Sequence, residues 1–327
     1  LVMATGIVAI AAHQQKLHLV ADALYVITVI AYVALAVLFA IRIIRFWSNF
    51  AADVTNHAKG FAFLTTVAAT NVLASASIVI HGWWDLAWTL WWISLALWAA
   101  FTYTTLIAVV IDRDKPGLQG GINGSWFLLT VSTQSIAVVA GLFLTRSDSD
   151  ALAFAAIAAF TLGIVLYLIV MTMVFLRWTF HPLDPTEADP PAWIAAGAVA
   201  ITVLAGSNIL LAVDQSERLA RLAPFLEGLV VISWATATFW FPLMIAIGIW
   251  RHLVRRVPLR YHPSYWAMVF PLGMYGAATY RMRAAIDFDA LAWLPKLELA
   301  AAFAAWAITF VGLLQHLGST ARVRLTK

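Results

Sequence analysis

The chain has 327 residues, 63% apolar and only 11% charged, whereas soluble domains are roughly a quarter charged. So few charges cannot build a water-facing surface, which excludes a soluble globular fold and points to an all-α polytopic membrane protein. The absence of Cys excludes disulfides, thiolate nucleophiles and Cys-ligated metals, and a net charge of +4 gives no support to nucleic-acid binding.

Apolar runs bounded by charge or Pro clusters predict ten spans, at 2–14, 23–45, 60–80, 86–111, 123–145, 151–176, 192–212, 226–250, 265–282 and 291–314. Ten spans of about 20 residues leave about ten for each connection, so residues 1–327 are expected to form a single transmembrane domain. The first span opens at Leu1 inside an apolar run, as if trimmed, and no cleavable signal peptide is recognisable. The runs are too long and too continuously apolar for an outer-membrane barrel.

Orientation follows from the cations. Connections after the even spans, together with the C-terminus, carry Arg42, Arg45, Lys59, Arg113, Lys115, Arg177, Arg251, Arg255, Arg256, Arg260, Arg322, Arg324 and Lys327. The other side has the smaller set of Lys16, Arg146, Arg218, Arg221, Arg281, Arg283 and Lys296. The richer side is expected to be cytoplasmic, with both termini inside a cytoplasmic membrane.

Odd and even spans differ. The odd ones are more than twice as rich in Gly, Ser, Thr, Asn and Gln. The fifth carries Asn123, Gly124, Ser125, Thr130, Ser132, Thr133, Gln134 and Ser135, and the third carries Thr65, Thr66, Thr70, Asn71, Ser75 and Ser77. Small and hydroxylated residues go where helices pack closely or line a wet path, while bulky apolar ones face lipid. An inner ring of odd spans within an outer ring of even ones is expected, either around a pore or as close packing alone. Thr5, Thr70, Asn71, Thr130, Gln134 and Asn208 are the candidate lining residues.

No Asp, Glu, Lys, Arg or His falls in the middle third of any span, which argues against a proton pump, a voltage sensor or a carboxylate-lined cation pore. Hydroxyls, amides and helix N-termini favour anions without a fixed cation. Catalytic and metal chemistry find no support. The eight His form no HExxH and no cluster with carboxylates, and read as interfacial or loop residues. Neither a GxSxG nor a Walker motif is present. Asp112-Arg113-Asp114-Lys115 reads as a solvated loop, as do Asp184, Glu187 and Asp189. Asn123-Gly124-Ser125 matches a glycosylation sequon but falls on the cytoplasmic side, where it reads as chance. No enzyme activity, cofactor or metal is expected.

The stretch GIWRHLVRRVPLRYHPSYWAMVFPLGMYGAATYRM, Gly248 to Met282, resembles the tellurite-resistance/C4-dicarboxylate transporter family. That family includes the yeast malate transporter, fungal sulfite exporters and the plant slow-type anion channels. ATGIVAI from Ala4, KGFAFLTTVAATNVLA from Lys59 and GINGSWFLLTVSTQSIAV from Gly121 extend the likeness to about Thr320. The resemblance implies ten helices as five helical hairpins around a central anion pore, and homotrimers with one pore per protomer. It implies a Phe gate near mid-membrane, which falls on Phe270, beside a helix-kinking Pro271. The implied cargo is a small anion: chloride, nitrate, sulfite or a dicarboxylate. A proton-coupled malate or succinate carrier and a tellurite-resistance exporter are the alternatives. Arg251, Arg255, Arg256 and Arg281 are expected as basic mouths that concentrate anions, or as topology and headgroup anchors.

Overall fold

The computed structural model describes residues 1–185, 190–215 and 217–325, so Glu187, Asp189 and Lys327 lie outside the described residues. Arg218, Arg322 and Arg324 are described in their backbone alone. All regular elements among the described residues are helices. Ten of them are long: α1 (Val2–Gln14), α2 (His18–Arg45), α3 (Thr65–His81), α4 (Trp84–Ile111), α5 (Leu128–Leu144), α6 (Asp150–Phe180), α7 (Ile194–Leu210), α8 (Glu217–Ile249), α9 (Trp266–Ile286) and α10 (Leu294–Leu325).

Several helices outrun the apolar segments. The second begins at His18, not 23, and the eighth at Glu217, not 226, with Pro224 and Pro242 both inside it. Hydropathy marks the length that tolerates lipid, while backbone hydrogen bonding continues into the charged ends. Among the described residues, eight helical stretches are long and apolar enough to cross a membrane. The first helix has only 13 residues, and the ninth carries Arg281 and Arg283, so composition alone supports neither.

Each odd helix packs on the even helix that follows it, and the odd helices also pack on one another in the order α1, α3, α5, α7, α9 and back to α1. The five contacts close a ring. Every residue of α5 and of α7 is buried. By contrast α2 buries only Ala21, Leu24, Tyr25, Thr28 and Ala31, and exposes Val26, Ile30, Val33, Val37 and Ile44. A helix that shows Val, Ile and Leu outward needs hydrocarbon around it.

A short 3-10 turn precedes four of the ring helices: Gly60–Leu64, Gly124–Phe127, Pro190–Trp193 and Pro263–Tyr265. These turns touch one another in chain order and form a collar. Phe61 and Trp126 meet at 4.3 Å between ring centroids, and the Trp126 indole donates to the carbonyls of His57 and Gly121. Asn123 caps its turn by accepting from the Ser125 amide at 2.8 Å, so Asn123 and Ser125 of the sequon serve as a helix start.

Gly124 sits where two collar turns meet, and a Cβ there would lie 2.1 Å from the Pro191 carbonyl oxygen. Backbone cannot yield as a flexible side chain does. Gly124→Ala should therefore lower stability by about 1–3 kcal/mol. Gly120→Ala, with nothing within 4 Å of the new atom, should leave melting in detergent unchanged. Equal melting of both variants would contradict the collar contact.

Candidate functional site

The ring has one cavity at its collar end. It holds about 750 Å3 and is lined by the first residues of all five ring helices: Met3, Thr66, Leu128, Ile194 and Trp266 among them. The N-termini therefore share one end, and the five helices run parallel. On one flank, Tyr32, Phe39 and Arg42 of α2 complete the wall. Phe270, 3% exposed, lines the same cavity from α9. Its neighbour Pro271 presses on Gly197 of α7, where a Cβ would come within 2.8 Å of the Pro ring.

Four residues further along α9 comes Met274, on the same helix face. It lines a second, small cavity of about 10 Å3, room for one water at most. All five ring helices contribute to it, through Ile7 and Ile10, Asn71 and Ser75, Ser135 and Val138, Ile201 and Leu204, and Met274. The two cavities mark the ring axis on either side of Phe270.

The candidate lining residues scatter around that axis. Thr70 lines the collar cavity, where its hydroxyl meets the Tyr32 hydroxyl at 2.9 Å. Asn71 reaches the small cavity and ties three helices, donating to Ser135 at 2.9 Å and accepting from Ser94 at 2.8 Å. Thr5 points elsewhere: its hydroxyl accepts from the Trp306 indole of α10 at 3.0 Å. Gln134 likewise turns to α6, donating to the Phe160 carbonyl at 2.8 Å, with its own Oε1 buried and unbonded. The Thr130 hydroxyl is also buried without a partner. Neither cavity is lined by Thr5, Thr130, Gln134, Asn208 or Pro271. Asn208 donates to the Val138 carbonyl at 3.2 Å and accepts from Arg281 Nε at 2.9 Å, so two residues expected apart, one in the lining and one at a mouth, are bonded to each other.

Of the expected basic mouth, Arg251 lies in a π-turn, Trp250–Val254, Arg255 stacks over the Trp250 ring at 5.4 Å, and Arg256 adopts φ 55. None of the three lines the collar cavity. Arg42 does, a residue the sequence marks only as a topology cation. It pairs with Asp53, which also accepts from Lys59 at 2.9 Å. Lys59 and Arg42 hold the Asp53 carboxyl below the usual carboxylate range.

At the far end of the ring, His13 and His18 meet edge to face at 5.0 Å, and His81 lies 3.9 Å from Asp22. The turn between α1 and α2 sets His13 beside His18, and the C-terminal end of α3 brings in His81 from far along the sequence. Among the described residues, no group of three or more His, Asp or Glu is arranged to hold a metal ion.

Comparison with known proteins agrees with this architecture. The family model described as SLAC1, voltage-dependent anion channel, matches residues 1–314. An uncharacterized membrane protein of Mycobacterium tuberculosis is 42% identical over 47% of this chain and 78% of its own length. An uncharacterized transporter of Methanocaldococcus jannaschii is 24% identical over 95% of the chain and 89% of its own. A sulfite efflux pump of Trichophyton rubrum is 23% identical over 86% of the chain and 79% of its own.

The Asn71 bridge offers a test of the ring independent of any activity. Asn71→Ala leaves Ser94 and Ser135 without their cross-helix partner. Such bonds contribute about 0.5–1.5 kcal/mol each inside a membrane protein. The variant should unfold at visibly lower denaturant concentration than Asn49→Ala, whose side chain meets only its neighbour Ser48. Identical midpoints would contradict the bridge.

Proposed function

The chain belongs to the SLAC1, voltage-dependent anion channel family, and we propose that it moves small anions across the cytoplasmic membrane along the axis of its five-helix ring. In this reading all ten long helices span as five hairpins in one domain, residues 1–327. Both termini are cytoplasmic, as the Lys/Arg distribution implies. Protomers assemble as trimers with one pore each.

The observation that carries the reading is the shared collar cavity. Five helix N-termini converge on it, and each brings the positive end of its helix dipole, about half a positive charge. Such an end favours anions without a deep cation to trap them. No Asp or Glu lines either axial cavity, which favours passive conduction over proton coupling. Sulfite stands first among the candidate anions because a relative over most of the chain is named a sulfite efflux pump. Chloride, nitrate and dicarboxylates remain members of the test panel. Arg42, beside the cavity, and the Arg251, Arg255 and Arg256 cluster supply the cytoplasmic basic rim.

Phe270 is the gate in this reading. An anion at a dry aromatic constriction loses its water at a cost of several kcal/mol. Phe270→Ala should remove that barrier and raise anion flux into liposomes roughly tenfold or more, since about 1.4 kcal/mol is worth a factor of ten. An ordinary core Phe behaves differently, because its truncation costs about 3–5 kcal/mol of stability and the variant would express poorly. Normal expression with unchanged flux would remove Phe270 from the gate.

A further inference from the structure

Arg281 stands apart from every other Arg near the far end of the ring. It is half-buried, and among the described residues it forms no ion pair. Its bond through Nε to Asn208 Oδ1, at 2.9 Å, involves no carboxylate. Arg283, two residues on, has Asp289 at 2.6 Å. A half-buried cation bonded to a neutral amide keeps a desolvation penalty that no carboxylate offsets.

Its position along α9 matters. Phe270, Met274 and Arg281 follow at steps of four and seven, which keeps all three on one helix face. The first lines the collar cavity and the second the small axial cavity. Arg281 is thus about 17 Å along the helix from Phe270, by the rise of an α-helix. On α7, Ile194, Ile201, Leu204 and Asn208 follow the same stripe by steps of seven, three and four. By this periodicity Arg281 and Asn208 share the helix faces that carry the axial residues, one to two turns beyond the small cavity.

Asn208 fixes the guanidinium. Its Nδ2 donates to the Val138 carbonyl at 3.2 Å, which turns Oδ1 toward Arg281 Nε. With Nε held, the two Nη groups form a fixed fork. A fork of this kind matches two oxygens of one anion, whereas a halide meets it only as a point charge. The site also lies near the C-terminal ends of the ring helices, whose carbonyls repel anions, so a cation there has work that the collar end does not need.

We infer that Arg281 is an oxyanion-binding site on the axis beyond Phe270, selecting two-oxygen anions such as nitrate, sulfite or carboxylate over halide, with Asn208 as its positioning residue. The inference rests on the anion-conducting reading and names the substrate class of that path.

The test uses the full chain, in liposomes for nitrate and chloride flux and in detergent for melting with each anion. Arg281→Lys keeps the charge and loses the fork. It should raise half-saturating nitrate about tenfold and shift chloride less than about twofold. Nitrate should raise the melting temperature of the wild type more than chloride does, and this difference should vanish in Arg281→Lys. Asn208→Ala frees the fork and should weaken nitrate about threefold while sparing chloride. If Arg281→Lys does not fold, nitrate protection of the wild type against Asn208→Ala decides the matter in its place. Equal effects on nitrate and chloride in whichever variant folds would overturn the site. Wild-type liposomes that pass no anion would instead overturn the conducting reading, and the melting arm would still judge Arg281.

Discussion

Five short helices packed parallel, with all their N-termini at one end, set the terms for the rest of the molecule. Parallel helices do not cancel their dipoles. The collar end gathers the positive ends of the five helix dipoles, and the far end gathers the corresponding negative ends. An anion is welcome at the collar without any fixed cation. At the far end it is not, and there the chain places Arg281, Arg283, His13 and His81. Parallel neighbours in a closed ring must also approach closely, which is why the ring helices are rich in small residues. At Gly141 an added Cβ would lie 2.9 Å from Asn208, and at Gly197 one would meet Pro271.

Polar residues in the ring do less wetting than their number suggests. Thr70, Ser77, Thr133 and Thr202 each return a hydroxyl bond to a carbonyl four residues earlier in their own helix. Others cross between helices, as Asn71 does, and hold the ring together. In the small axial cavity only Asn71, Ser75 and Ser135 are polar, beside Met274 and aliphatic side chains. The centre of the ring is therefore narrow and mostly apolar although its helices are polar in composition.

The sequence makes the helical class, the alternation of buried and lipid-facing helices and the approximate spans legible, because lipid exposure demands composition that a count can detect. Rotation about the helix axis is another matter. A ring helix is buried on every side, so no apolar stripe reveals which face points to the axis. Thr5 and Gln134 were placed in the lining for their chemistry, and they face the outer helices instead. Arg42 reads as a topology cation because a lone Arg at a span's end is common, yet the short helix Trp47–Val54, which carries Asp53, folds back and fixes it beside the collar cavity. Four collar turns do have a trace in the sequence, a Gly or Pro followed within a few residues by Phe, Trp or Tyr: GFAF, GSWF, PPAW and PSYW. The gate proposed at Phe270 rests on family resemblance, since nothing in its local pattern separates it from a core residue.

The claim on which the account turns is that anions travel along the ring axis, and the absence of native Cys allows it to be tested at one atom. Ser75 lines the small axial cavity beyond Phe270, and Ser75→Cys changes little in volume. In a Phe270→Ala background, an anionic methanethiosulfonate reagent should block flux through Ser75→Cys and leave lipid-facing Val26→Cys untouched. Full flux after demonstrated modification of Ser75→Cys would place the path elsewhere.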